Sequence, residues 1–385
     1  MGETPPEEAA AESTAAWAPL ADPVFRMLWV VWIAANTCMW MNDVAAAWLM
    51  TTLVASPVMV ALVQTASTMP VFLLGLPSGA LADILDRRRY FVATQFWVAG
   101  TASILSLAII SDAINPTLLL LLTFLNGIGL AMRWPVYSAI VPELVSRAQL
   151  PAALALNGVA TNASRIIGPV VAGALIAGIG TEYVFVLNAV LSVIAGFLIL
   201  RWKSRQKPSA LPGERFLGAI RVGAQYVRQS SRMRAVLLRV TIFFAQSTAL
   251  IALLPLVARD MPGGSAGTFT LLLASLGFGA ILSAFVLPHL RQSWTRDDLV
   301  RVGSWVQAVA MVAVGYAPNL YVAVPMMVVS GAAWLTVANS IAIAAQLALP
   351  DWVRARGMST YQVALMGGSG LGAAVWGQVA AVSNV

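Results

Sequence analysis

The chain has 385 residues, of which 59% are hydrophobic and 10% are charged, and its net charge is +7. A soluble domain is typically about 25% charged, so this composition excludes an ordinary soluble protein and indicates helices that face lipid. A single cysteine and a single histidine, Cys38 and His289, exclude an internal disulfide and a Cys/His metal centre. We expect no cofactor, no nucleic-acid partner and no enzymatic activity, because a membrane-embedded enzyme needs His, Asp, Glu or Cys side chains clustered at one depth.

Residues 1–22 are rich in acid, proline and alanine and lack the basic start and apolar run of a secretory signal. They predict a disordered cytoplasmic tail. After them, eleven stretches hold enough apolar residues in a row to cross a bilayer, which takes about 20. The predicted spans are 25–50, 58–82, 90–111, 117–139, 153–179, 183–202, 236–258, 267–290, 299–316, 320–345 and 357–382.

The charges of the loops orient these spans. With the N-terminus in the cytoplasm, the inside loops hold the basic residues of 87–89, 147, 201–207, 291–301 and 354–356, whereas the outside loops hold Arg259. Cytoplasmic loops of membrane proteins carry such an excess of Lys and Arg. The sequence therefore predicts a multi-pass protein of the cytoplasmic (inner) membrane with a cytoplasmic N-terminus.

Residues 203–235 form a long, polar and basic stretch that separates six predicted spans from five. Apolar residues recur in it at helical spacing among arginines, which indicates an amphipathic helix lying at the cytoplasmic surface. The alternative is a linker whose helix covers the floor of the bundle. The predicted halves are 23–202 and 236–385.

The two halves look related in sequence. Residues 154–173 align with 358–377, so that Gly168 corresponds to Gly372 and Gly173 corresponds to Gly377. A parallel repeat of this kind is typical of secondary transporters. It predicts two parallel-related six-helix halves, of which eleven helices are present and the twelfth is missing.

The segment from Gly79 to Arg89, GALADILDRRR, resembles the major facilitator signature between the second and third helices, Gly-x-x-x-Asp-Arg/Lys-x-Gly-Arg-Arg/Lys. The matching residues are Gly79, Asp83, Arg87 and Arg88. Ile84 and Asp86 replace a basic residue and a glycine of that pattern. The resemblance implies an all-α membrane protein with the major facilitator fold.

Further features resemble one branch of that superfamily, the enterobactin-exporter-like or transmembrane secretion effector branch. They are the stretch from Asn36 through Trp40 and Met41 to Trp48, the run Leu-Ala-Asp-x-x-Asp-Arg-Arg-Arg, and Pro135 followed by Val141-Pro142-Glu143-Leu144. The resemblance covers nearly the whole chain after residue 22. It implies export of a small molecule, since this branch exports chemically diverse compounds.

The loop motif has two interpretations. As a gate, Gly79 would allow a close approach of helices, and Asp83 would accept hydrogen bonds from the N-terminus of the eleventh helix. Arg87 and Arg88 would then latch the loop to acids on neighbouring helices and stabilise an outward-facing state. Alternatively, the arginines supply only the charge that sets the topology.

The run from Gly168 and Pro169 to Gly173 is similar to the Gly-Pro-x-x-Gly-Gly element of proton-driven exporters, with Ala172 in place of a glycine. Ser164, Gly168 and Ala172 also form a stripe of small residues four apart. Such a stripe lets helix backbones pack closely, and packing alone explains it.

Apart from charges near the ends of spans, three charged residues lie at bilayer depth, where each charge costs at least about 2.5–3.5 kcal/mol. Asp43 shares one helix face with Asn36 and Trp40, a pattern that suits a cavity wall. Asp43 is a candidate carrier of the coupling proton; alternatively it is a packing acid bonded to a neighbour, or a residue wetted from outside.

Arg165 lies in the middle of the fifth span, near Asn162. It is predicted to face the bundle interior, where it binds an anionic substrate or pairs with an acid such as Asp43. Arg133 lies toward the inner end of the fourth span, and a structural latch with Asp83 or Glu143 is the favoured interpretation there.

The sequence contains no Walker-type loop that would indicate direct use of ATP. It thus predicts a secondary active transporter that exports a siderophore, drug or other amphiphile by alternating access. The family resemblance implies proton coupling. The alternatives are a non-transporting, truncated homologue and a lysophospholipid flippase. The expected partners are a small-molecule substrate, protons and the lipid bilayer, and the expected oligomeric state is a monomer.

Overall fold

The structure is a computed structural model that describes residues 16–202, 229–350 and 354–383. The described residues hold eleven helices that are long and apolar enough to span a membrane. They are α1 (Pro23–Leu53), α2 (Pro57–Ile84), α3 (Arg87–Ile110), α4 (Pro116–Leu144), α5 (Leu150–Gly178), α6 (Glu182–Arg201), α7 (Ser231–Asp260), α8 (Ala266–Ser293), α9 (Arg296–Gly315), α10 (Leu320–Leu347) and α11 (Arg354–Ser383). The predicted all-α fold with eleven spans is confirmed.

Short polar side chains mark the starts of many of these helices. At α1, one Asp22 carboxylate oxygen accepts hydrogen bonds of 2.8 Å from the backbone N–H groups of Val24 and Phe25. The same role falls to Ser56 at α2 and Asn115 at α4. These caps satisfy N–H groups that the first helical turn leaves free, and so they fix where the chain re-enters the bundle.

Three boundaries bear on the predicted segments. Ahead of α1, residues Ala18–Ala21 form a 3-10 helix, so regular structure begins inside the predicted tail 1–22, of which residues 1–15 lie outside the described residues. α7 begins at Ser231, inside the predicted linker 203–235. The predicted amphipathic helix falls on residues 203–228, which lie outside the described residues.

The two ends of the bundle differ in charge. Because successive helices alternate in direction, the loops after α2, α4, α6, α8 and α10 share one end, which we call the arginine-rich face. Among the described residues, Arg259 is the one arginine at the other end, the opposite face. The described residues therefore reproduce the charge asymmetry expected from the sequence.

Glycine contacts reveal the repeat in three dimensions. Gly168 of α5 packs on α1 at Trp40 and Thr37, and the corresponding Gly372 of α11 packs on α7 at Ala245. One and a half turns further on, Gly173 meets Thr270 of α8, and Gly377 meets Ala61 of α2. Each half thus presents its fifth helix to its own first helix and to the second helix of the other half, as a two-fold repeat requires.

The hydrophobic core is divided unevenly between the two ends. Near the opposite face, one cluster joins both halves, with Met41, Met50 and Phe185 of the first half beside Leu254 and Leu272 of the second. Near the arginine-rich face there are two separate clusters. One draws only on the first half and the other only on the second.

The glycines of the inter-half helices show the same asymmetry. At Gly75, Gly79 and Gly158, toward the arginine-rich face, no described atom lies within 4 Å of the position that a Cβ would occupy. Nearer the opposite face, a Cβ at Gly173 or Gly277 would overlap a side chain of the other half. The halves therefore touch from the centre to the opposite face and separate toward the arginine-rich face.

Candidate functional site

The two halves meet around Arg165, at the centre of α5. Its guanidinium carbon lies 5.4 Å from the ring centroid of Trp40 in α1 and 4.8 Å from that of Trp334 in α10. Trp40 belongs to the first half and Trp334 to the second. The cation is therefore held between aromatic rings of both halves, at the level where the shared core ends.

The hydrogen-bonding capacity of Arg165 is left unused. Its Nε and Nη1 atoms are buried, and neither has a hydrogen-bond partner among the described residues. A cation–π contact contributes about 0.5–2 kcal/mol, so two of them offset part of the cost of a charge at bilayer depth. They do not replace the hydrogen bonds that a buried guanidinium needs. The site is thus prepared to accept a further oxygen ligand.

The stripe of small residues predicted in α5 fixes the position of Arg165. Ser164 accepts a hydrogen bond of 3.2 Å from the Thr37 hydroxyl and donates one of 3.2 Å to the carbonyl oxygen of Ile33 in α1. Gly168, one turn later, lets the α1 backbone approach, since a Cβ there would lie 2.9 Å from the Thr37 carbonyl oxygen. Because Ser164 and Gly168 face α1, the next residue, Arg165, is turned toward the space between the halves.

The predicted face of α1 is present, but its three members behave differently. Asn36 is buried, and its amide nitrogen donates to the Trp32 carbonyl oxygen of its own helix at 2.7 Å. The indole N–H of Trp40 is buried and has no partner among the described residues. Trp40 therefore belongs to the Arg165 site, whereas Asn36 is satisfied locally.

Asp43 lies one turn beyond Trp40, toward the opposite face. It is partly exposed, and no hydrogen bond or ion pair joins its carboxylate to any other described residue. Its neighbour in sequence, Val44, belongs to the core shared by both halves. The ion pair between Arg165 and Asp43, one of the predicted alternatives, is therefore not formed in this structure. Neither charge has an ion-pair partner among the described residues.

Two further residues complete the surroundings of the site. Asn162 is exposed on α5, on the arginine-rich side of Arg165, and its amide donates to the Gly158 carbonyl oxygen at 2.9 Å. Phe244 of α7 packs edge-to-face on Trp334, with ring centroids 5.8 Å apart. Asn162 thus lies toward the open end of the inter-half space, and Phe244 supports Trp334 from behind.

Sequence reasoning missed Trp334. Tryptophan in membrane proteins is usually an anchor at the lipid–water interface. Trp334, however, lies at the centre of α10, among Gly331, Ala332 and Ala333. A tryptophan at mid-span beside such small residues is the signal that could have indicated a role inside the bundle.

The described contacts of the arginines in the gating motif lie within the first half. Arg87 forms an ion pair with Glu143 and donates to the Ala139 carbonyl oxygen at 3.2 Å, both in α4. Arg88 donates to the Ile199 and Leu200 carbonyl oxygens at the end of α6. The contact of Arg87 with an acid on a neighbouring helix is observed, and it joins α3 to α4 rather than one half to the other.

The expected close approach at Gly79 is not observed, since no described atom lies within 4 Å of its Cβ position. The halves are apart at this end, which leaves the face of α2 around Gly79 open. Asp83 lies in the last turn of α2, and its side chain lies outside the described residues.

Arg133 connects two helices of the first half. It is 3% exposed, and its Nη2 donates to the Ala35 carbonyl oxygen of α1 at 3.1 Å. Its guanidinium also lies 5.7 Å from the Trp32 ring, which stacks on Tyr137. A bond with Glu143 is not formed, and that residue pairs with Arg87 instead. Arg133 thus latches α4 to α1 through a backbone carbonyl.

The chain matches the family model described as transmembrane secretion effector over residues 14–385. It is similar to the staphyloferrin A transporter of Staphylococcus aureus, with 22% identity over 71% of this chain and 69% of that protein. It is also similar to macrolide efflux protein A of Enterococcus faecalis, with 21% identity over 65% of this chain and 78% of that protein.

Solved structures share the fold. A bacterial homologue of the human lysosomal transporter Spinster, in an inward-facing and unoccupied conformation, superposes with a TM-score of 0.74 at 18% identity over 93% of this chain and 82% of its own. The D323A mutant of the nucleoside transporter NupG superposes with a TM-score of 0.76 at 14% identity over 92% of each chain. With the whole described bundle matched by a family model and by transporter folds, the chain belongs to the transmembrane secretion effector family of the major facilitator superfamily.

Proposed function

We propose that this protein exports a small amphiphilic molecule across the cytoplasmic membrane by alternating access. The observation that carries the proposal is the uneven contact between the halves. They share one core near the opposite face and have separate cores near the arginine-rich face, and Arg165 lies where the contact ends. A pair of rigid halves that touch at one end only has a second arrangement available, in which they touch at the other end.

The charge of the two faces indicates how the protein is oriented in the membrane. Placing the arginine-rich face in the cytoplasm satisfies the positive-inside rule and puts the N-terminus inside. The described conformation is then inward-facing, so that a substrate reaches Arg165 from the cytoplasm. Membership of a family that contains a macrolide efflux protein supports export over uptake.

Protons are the proposed driving ion, and Asp43 is their proposed carrier. The residue is partly exposed, its carboxylate has no ion-pair or hydrogen-bond partner among the described residues, and it lies one turn from Trp40 on the same helix face. A carboxylate that can bind and release a proton beside the substrate site links the movement of protons to the movement of the substrate. Asp43 is also the one acid in the central part of α1.

Everted membrane vesicles test this function. Addition of ATP acidifies their lumen, and a dansyl-labelled amphiphile should then accumulate faster in vesicles that contain this protein than in vesicles without it. Asp43→Asn should lower this energised accumulation at least about tenfold, as expected for the loss of an essential proton-transfer group. Energy-independent exchange of the same compound across the membrane should persist.

The matched control is Asp112→Asn, at an exposed turn of the opposite face where the positive φ of 54° is tolerated by both Asp and Asn. This control should accumulate the compound at the unaltered rate. Undiminished, gradient-driven accumulation by Asp43→Asn would remove Asp43 as the carrier. An absence of accumulation by the unaltered protein would contradict export itself.

A further inference from the structure

We infer that the transported molecule is an organic anion with an aromatic or apolar body, bound by Arg165 between Trp40 and Trp334. This inference rests on the proposed function, because it identifies the substrate class of the same site. Its basis is the charge balance and the geometry around Arg165.

The charge balance leaves Arg165 without compensation. In the central spans of α1, α2, α5, α7, α8, α10 and α11, the sequence places two charged residues, Arg165 and Asp43. The buried charge of α4, Arg133, lies nearer the arginine-rich face and donates to the Ala35 carbonyl oxygen within the first half. Asp43 makes no ion pair with Arg165 or with any other described residue. The guanidinium of Arg165 therefore has no opposite charge in contact with it among the described residues. An anionic ligand then removes an unpaired charge from the membrane interior, whereas a cationic ligand adds a second one.

The contacts around Arg165 restrict the direction from which such a ligand can approach. Trp40 and Trp334 flank the guanidinium at 5.4 and 4.8 Å, and the shared core closes the space beyond it toward the opposite face. The remaining approach runs past Asn162, which is exposed, toward the arginine-rich face. An oxyanion entering by this path meets the buried Nε and Nη1 donors that have no partner among the described residues.

The two indoles favour a particular kind of molecule behind the charged group. Their rings present flat, apolar surfaces, and they come from opposite halves. An aromatic or alicyclic body gains burial against both rings, while its anionic group is bound by Arg165. A ligand that contacts Trp40 and Trp334 together also bridges the halves. Binding is therefore coupled to their relative movement.

The contrast with Arg133 shows that this arrangement is specific to Arg165. Arg133 is also a buried arginine beside a tryptophan, but its Nη2 donates to the Ala35 carbonyl oxygen and its neighbours all belong to the first half. Arg133 serves packing. Arg133 Nε is also buried without a partner among the described residues, so Arg165 differs in having two such donors and in lying at the junction of the halves.

A charge-matched series of dansyl compounds tests the inference: dansylglycine is an anion, dansylglycinamide is neutral and dansyl-ethylenediamine is a cation. Binding to the purified, full-length protein in nanodiscs is measured by energy transfer from tryptophan to dansyl, with empty nanodiscs subtracted. Dansylglycine should bind at least about tenfold more tightly than dansylglycinamide, because a charge-assisted hydrogen bond contributes about 1.5–3 kcal/mol. The cation should bind most weakly.

Variants assign the preference to individual residues. Arg165→Gln should reduce the ratio of the anionic to the neutral affinity to about one, and Arg165→Lys should retain part of it because the charge remains. Trp334→Leu should weaken the anionic and neutral compounds by the same factor. Trp305→Phe, an exposed tryptophan on α9, is the matched control and should leave all affinities unchanged.

Equal affinity for the three charges in the unaltered protein would overturn the inference, as would the absence of binding by any of them. Retention of the full anion preference in a monodisperse Arg165→Gln protein would do the same. The export proposal fails separately: anion preference without energised accumulation in vesicles would remove export and leave the anion site. Accumulation of all three compounds alike would remove the anion site and leave export.

Discussion

The two ends of the helix bundle are built differently. At the opposite face, residues of both halves form one core, and the Arg259 side chain of α7 donates to the Thr51 carbonyl oxygen of α1. At the arginine-rich face, each half has its own core, and the ion pairs there stay within a half, such as Arg87 with Glu143 and Arg239 with Asp297. Each half is therefore held together by contacts that do not depend on the other half.

This difference separates contacts that stabilise the fold from contacts that belong to one conformation. The internal contacts of each half can persist while the halves rock. In the proposed alternating-access cycle, the contacts at the opposite face have to break for that face to open. Small residues in α5 and α11 permit those contacts, since they bring backbones close without interlocking side chains.

The largest expected effect comes from blocking closure of the opposite face. At Gly173 a Cβ would fall on the Thr270 side chain of α8, so Gly173→Leu should force α5 and α8 apart. We expect energised transport of dansylglycine in everted vesicles to fall at least about tenfold, the loss that 1.4 kcal/mol of conformational bias produces.

Gly178→Leu is the matched control for this prediction. Gly178 is the last residue of the same helix, and no described atom lies within 4 Å of its Cβ position. It should transport at the unaltered rate. Equal rates for the two variants would show that closure at Gly173 is not part of the cycle.

A smaller effect is expected inside the first half. Arg133→Gln removes the cation that joins α4 to the Ala35 carbonyl oxygen of α1 and leaves this buried oxygen without its donor. We expect a loss of about 1–3 kcal/mol in the stability of the fold and a lower Tm in detergent. The ratio of dansylglycine to dansylglycinamide affinity should not change, because Arg133 lies outside the Arg165 site.

The smallest effect is expected from Arg239→Gln, which breaks an exposed ion pair with Asp297 at the arginine-rich face. Exposed pairs contribute about 0–1 kcal/mol, so Tm should stay within about a degree or two of that of the unaltered protein. A fall in Tm as large as that of Arg133→Gln would contradict the expectation that the buried Arg133 stabilises the fold more than the exposed Arg239.

Much of the fold follows from the sequence because the bilayer imposes it. A span needs about 20 apolar residues, and this requirement located all eleven helices. The high cost of a buried charge likewise singled out Arg165 and placed it inside the bundle. Trp40 lies beside Arg165, and its position on the α1 face relative to Asn36 and Asp43 follows from helical periodicity; its role in the cavity stays a prediction.

The other features of the site depend on which helices pack together, and the sequence of a single helix does not determine its neighbours. Trp334 was missed because periodicity does not tell which face of α10 is turned toward α5. The proposed bond between Arg133 and Glu143 was wrong for a simpler reason. Both residues lie in α4, and ten residues of α-helix separate them by about 15 Å, which is beyond the reach of the two side chains. The role of Asp83 in gating stays a prediction.

Distances between spin labels at the two faces test the central claim most directly. In a Cys38→Ser background, one pair replaces Ala148 and Ser293 at the arginine-rich face, and a second pair replaces Ala113 and Tyr316 at the opposite face; all four residues are exposed. With dansylglycine bound, the first distance should shorten and the second should lengthen. If both distances stay constant, or both change in the same direction, the two halves do not exchange closure between the faces, and alternating access by this protein is contradicted.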